Sequence, residues 1–83
     1  MKYAFPATFK VDATDPKFVN VCFPDIPGAV TFGEGMDDAK KMAKDLLNTM
    51  LDEDFVKHIK PTNILDATLN FKDCDVEMVE VDK

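Results

Sequence analysis

The sequence predicts an α+β domain, a two-layer β-β-β-α-β arrangement in which one long helix packs on an antiparallel sheet. Its first half alternates apolar and polar residues between clusters of turn formers. Residues Met36 to Met50 then carry a single apolar stripe at helical spacing, and the chain ends on a β-branched alternating run.

From Tyr3 the pattern has period two. Tyr3, Phe5, Ala7, Phe9 and Val11 share one face, with Lys2, Ala4, Pro6, Thr8 and Lys10 opposite. Pro6 lacks an amide donor, which puts that position at a sheet edge or an irregularity. "DATDP", Asp12 to Pro16, is turn chemistry that closes a hairpin. In "KFVNVCF" the residues Val19, Val21 and Phe23 face one way, and Phe18, Asn20 and Cys22 the other. Apolar groups on both sides predict an inner strand or one covered on both faces. "PDIPG" turns the chain, because Pro24 and Pro27 fix φ and bias the preceding residues toward extended backbone, while Gly28 can supply a positive φ. A third strand, from about Ala29 to Phe32, leads into "GEG", and turn-length links predict a meander.

The helix is the clearest element. Met36, Ala39, Ala43, Leu46, Leu47 and Met50 form the stripe, which is read as packing on the sheet. Gly35 stands at the N-cap, and Asp37 and Asp38 in the first turn suit the positive end of the helix dipole. "DEDFVKHIKPTN" predicts a short helical extension ending before Pro61, and Asn63 to Lys72 is only weakly patterned. "DVEMVEV", Asp75 to Val81, predicts the fourth strand.

Composition narrows the function. Hydrophobic residues make up 46% of 83 and include seven Phe, so a core is available without metals or staples. A chain this short still gains from association. No window is apolar enough to span a membrane and no signal-peptide pattern opens the chain, so a cytoplasmic protein is expected. Cys22 and Cys74 match no Cys-x-x-Cys spacing and are expected to be reduced and partly buried. His58 has no zinc partner three or four residues away and is expected to be exposed near a helix end. A net charge of −6 with no Arg disfavours nucleic acid as a direct ligand and suits a basic protein partner.

Catalysis finds little support. Cys22 lies mid-strand and His58 beyond the helix, so no local nucleophile and base pair up, and "GEG" is too short for a phosphate loop. A magnesium site built from Asp25, Glu34, Asp37 and Asp38 is the best enzymatic alternative, but acids at a helix start are explained by its dipole. No catalytic residue, metal or cofactor is assigned.

The stretch "VCFPDIPGAVTFGEGMDDAKKMAKDLLNTML" resembles the HicB antitoxin family. The matching residues are Val21, Phe23, Pro24, Asp25, Ile26, Pro27, Gly28, Thr31, Gly33, Asp38 and Ala39. "YAFPATF" is similar to the family's first strand, and "KPTNILD" and "VEMVEVDK" are similar to its segment after the helix and its last strand. The resemblance covers essentially the whole chain. It implies a HicB-like domain with a partly degraded ribonuclease H-like fold that lacks the nuclease's metal carboxylates. It also implies binding and inhibition of a small basic HicA-type toxin that cleaves mRNA. Ala29 stands where the family often has Cys. Gly35 stands where it often has Ser or Thr, a change expected to cost only a few tenths of a kcal/mol. Many members continue into a DNA-reading segment, and the sequence is read as one HicB-like domain, residues 1–83, without it.

On this reading "PDIPG" is a rigid turn, with Pro24, Asp25 and Ile26, together with Glu34 and Asp37, as candidates for a partner surface. A homodimer or higher oligomer is expected through the closing strand, at Val76, Met78, Val79 and Val81, although Glu77 and Glu80 could equally protect that edge. The alternatives are a solitary oligomeric scaffold without a toxin and a residual metal-dependent nuclease.

Overall fold

The computed structural model describes residues 1–83. Strands β1 (Lys2–Val11), β2 (Phe18–Cys22), β3 (Val30–Glu34) and β4 (Asp75–Asp82) form one antiparallel sheet in the order β3-β2-β1-β4. The first three strands are a meander, and β4 returns beside β1 after helices α1 (Met36–Met50), α2 (Asp54–Lys57) and α3 (Ile64–Asn70). The predicted α+β class and the long helix are both present. The helical extension appears as the single turn of α2, with His58 exposed at its C-cap.

The β1–β2 turn forms as its residues dictate. Asp12 Oδ1 accepts from the Thr14 amide at 2.9 Å and from Thr14 Oγ1 at 2.8 Å, an Asx turn. Pro6 sits on an inner strand, but β2 ends opposite Thr8, so at Pro6 the strand has a neighbour only in β4. The sheet accommodates the missing donor where it is locally one-sided.

Strand alternation sorts the core. Phe5, Ala7, Phe9, Val19, Val21 and Val81 point to the α1 side and pack against Ala39, Ala43 and Leu47, all buried. Leu51 and Val56 extend the same core past the end of α1. Gly33 is the contact point between β3 and α1. A Cβ built there would lie 2.3 Å from the Ala39 amide nitrogen, so only a hydrogen fits between strand and helix.

The weakly patterned stretch after Pro61 contains α3, which was not expected. Asn63 caps it reciprocally: its Oδ1 accepts from the Asp66 amide at 2.9 Å and its Nδ2 donates to Asp66 Oδ2 at 3.0 Å. This helix packs on β4 and reaches Pro6 on the sheet face turned away from α1. There Pro6, Pro24, Ala67 and Phe71 line a cavity of about 170 Å³. It covers the β1–β4 half of that face. The β2–β3 half stays open, so β2 is an inner strand but is not covered on both faces: Phe18 and Cys22 are half-buried and Asn20 is exposed.

Candidate partner-binding surface

The "PDIPG" loop is a double turn. The Ile26 amide donates to Phe23 O at 3.0 Å and the Ala29 amide to Ile26 O at 3.2 Å, while Phe23 N to Ala29 O at 3.0 Å closes the base. Pro24 and Pro27 each take the second position of a turn, and Gly28, at φ 77°, the third position of the second one. The loop is a rigid turn, as read from its prolines.

Its side chains are mostly committed inward. Ile26 is 2% exposed and belongs to the core, so its assignment to a partner surface is corrected: the double turn folds it under the sheet. Asp25 is half-buried, its Oδ2 accepting from the Thr62 amide at 2.7 Å and its Oδ1 from Thr62 Oγ1 at 2.8 Å. The carboxylate therefore anchors the segment leading into α3. Pro24 is half-buried in the cavity beneath α3, whereas Glu34 and Asp37 are exposed.

Glu34 and Asp37 lie where β3 meets α1. Asp38 Oδ2 accepts from the Glu34 amide at 2.9 Å, tying the first turn of α1 back to β3. Gly35 between them has φ 86° and ψ 166°, a conformation nearly confined to glycine. The small cost expected for glycine in place of Ser or Thr considers capping alone; in this backbone conformation Ser or Thr would be strained. With Asp25 held by Thr62 and Asp38 by the Glu34 amide, no three carboxylates converge as a metal site.

The closing strand is a sheet edge, as expected, but its residues divide. Val81 is 6% exposed and buried in the core, and Val79 packs against that core, so neither is free for an oligomer contact. Val76 and Met78 point to the α3 side, where Val76 is half-buried and Met78 is exposed. Four acids punctuate this edge, and three are paired: Glu77 with Lys40 at 3.2 Å, Glu80 with Lys2 at 3.6 Å and Asp82 with the Met1 ammonium at 3.1 Å.

The surface that sequence reasoning missed is the open half of the sheet. A groove of about 720 Å³ runs over Asn20, Cys22, Val30 and Phe32, with Lys10 and Cys74 on its far side. Val30 is 65% exposed and Phe32 58%, and the Phe32 ring meets Phe18 edge-on at 5.6 Å. Lys10 is held by Asp73 at 2.8 Å; the bond pulls the carboxyl of Asp73 below its ordinary range and raises Lys10. Burial pushes the Cys22 thiol up. Because β1 separates Cys22 from Cys74, their Cα atoms are at least about 9 Å apart by strand spacing, too far for a disulfide. Local sequence predicted the third strand, from about Ala29 to Phe32, but not that one of its faces would stay open, because that depends on where α3 ends.

This geometry defines a class before it defines a family: a small α+β domain with a net charge of −6, built on a four-stranded antiparallel sheet whose two edges are β3 and β4. The sequence profile of the HicB-like antitoxins of bacterial toxin–antitoxin systems matches residues 4–62, and the chain belongs to that family. Two solved structures share the fold. One is a toxin–antitoxin complex from Streptococcus pneumoniae, 28% identical with a TM-score of 0.73, covering 99% of this chain and 70% of that one. The other is the N-terminal domain of the Burkholderia pseudomallei antitoxin HicB, 24% identical with a TM-score of 0.76, covering 98% of this chain and all of that one. No curated protein sequence matches significantly.

Proposed function

We propose that this chain is the antitoxin of a toxin–antitoxin pair, binding a small basic HicA-type ribonuclease in the cytoplasm and inhibiting it by occupancy. The observation that carries the reading is the family match, which spans β1 to β3, the whole of α1 and the anchored double turn. The net charge of −6 supports it, because an acidic surface steers a basic protein and speeds its capture. The chain itself performs no chemistry on this reading, and its action is stoichiometric.

The test is co-expression with the small basic protein encoded in the adjoining reading frame. The expected result is a co-purifying complex, relief of the growth arrest caused by that protein alone, and an association rate that falls as salt rises. Absence of any complex, with growth arrest unrelieved, would refute the proposal. A rate indifferent to salt between low and physiological strength would remove only the electrostatic part.

A further inference from the structure

The two edges of the sheet are built differently. The β4 edge carries Asp75, Glu77, Glu80 and Asp82 over its eight residues, the interleaved charge that discourages another strand from pairing. The β3 edge, Val30–Glu34, has one charge, at its end, and no lysine or proline. Its middle is Thr31, Phe32 and Gly33, with Phe32 and Val30 projecting into water beside the groove.

Hydrogen-bond alternation identifies which backbone groups are free. The bonds from Gly35 N to Lys17 O and from Phe23 N to Ala29 O bracket the β2–β3 ladder. In the register between them, Val19 with Gly33 and Val21 with Thr31 are the bonded pairs. Val30, Phe32 and Glu34 therefore turn their backbone groups away from β2. The Val30 amide is taken by Gly28 O at 3.1 Å and the Glu34 amide by Asp38. Phe32 is left at the centre, with both its N–H and its C=O directed outward.

Charge selects the occupant. By register Asp12, Phe18 and Glu34 lie in one row across the open face, with Asp15 in the adjoining turn and Asp37 in the first turn of α1. The nearby bases are Lys17, folded over the Phe18 ring at 5.2 Å, and Lys10, held by Asp73. A second copy would bring its own −6 into the contact, whereas a basic segment is drawn to it.

We infer that the β3 edge receives an extended basic segment of a protein partner as an added strand, with a residue opposite Phe32 exchanging both backbone bonds and alternate apolar side chains settling into the groove over Cys22, Val30 and Phe32. This rests on the reading of the chain as an antitoxin and names the surface that reading lacks.

The probe is the small basic protein of the adjoining frame, titrated calorimetrically into the full chain and its variants. Phe32→Pro removes the outward donor while leaving the β2–β3 bonds intact. Phe32→Lys keeps the donor and repels a basic segment, and it serves if the proline variant melts early. Met78→Lys places the same charge on the β4 side. Both Phe32 variants are expected to weaken binding at least tenfold, with Met78→Lys within threefold of the parent. If the parent binds and all three variants match it, the β3 site is overturned and the antitoxin reading stands. If the parent does not bind, both fall. If the Phe32 variants instead convert a dimer to monomer with partner affinity unchanged, the edge belongs to a second copy and the inference is overturned.

Discussion

Replacing Gly33 by alanine should be more damaging than replacing Gly28. The added Cβ would stand 2.3 Å from Ala39 N, 2.5 Å from Ala39 Cα and 2.7 Å from the Asp38 carbonyl carbon. All three are backbone atoms of α1, so no side chain can swing aside. Ordinary contact begins more than an ångström further out, and α1 must retreat by that distance. Retreat opens space around Ala39, Ala43 and Leu47, which are 0% exposed and pack the helix on the sheet. Overpacking of a well-filled core costs typically 1–3 kcal/mol, and a clash against rigid backbone belongs at the top of that range, about 3 kcal/mol. A domain of this size holds on the order of 4–12 kcal/mol in total, so the loss is a large fraction. The corresponding fall in Tm is roughly 12–24 °C. Gly28→Ala is the control: its φ of 77° imposes strain of about 1–2 kcal/mol, but its Cβ meets nothing within 4 Å. Urea and thermal unfolding followed by circular dichroism at 222 nm would measure both variants. A Gly33→Ala protein within about 1 kcal/mol of the parent, or more stable than Gly28→Ala, would refute the argument that β3 and α1 touch backbone to backbone.

Asp25→Ala strands the half-buried Thr62 amide and hydroxyl, so stability should fall by about 1–3 kcal/mol, with amide exchange rising first in α3. In acid, Asp12, Asp52 and Asp73 all titrate below their ordinary value of 3.8, held by the Thr14 amide, Lys83 and Lys10 respectively. Their contribution is complete above that pH and is lost as pH falls through the depressed values. The urea midpoint should therefore drop below about pH 4, and Asp73→Asn should flatten the slope. The Cys22 thiol is raised by burial above 9.0, so its contribution holds below that pH and fades above it. At neutral pH Cys22 should react with Ellman's reagent more slowly than a free cysteine, and a burst from two fast thiols would contradict this.

The sequence by itself determined the strands, the long helix and the double turn, because each is specified by local chemistry. Period two in β1, the Met36–Met50 stripe and the paired prolines around Asp25 act within a few residues of themselves. The family motif was legible for the same reason: Pro24, Pro27 and Gly28 are constrained by their own backbone. What it could not show was which way the remaining side chains face. Ile26 reads as a loop residue, yet the double turn folds it into the core, and Val81 alternates like an exposed edge residue but lies 6% exposed beside Tyr3. Helix α3 was hidden because apolar periodicity reports a buried face, and here only Ala67 is buried while Ile64, Leu65 and Leu69 face water. Its Asn63–Asp66 cap was the one local signal available. The open groove is likewise a tertiary result: α3 covers the β1–β4 half of the sheet and ends before β2, a boundary fixed by Asp25 binding Thr62 across 37 residues of chain. Contacts between residues so far apart leave no periodicity to read, so only the assembled fold decides which edge of the sheet remains free.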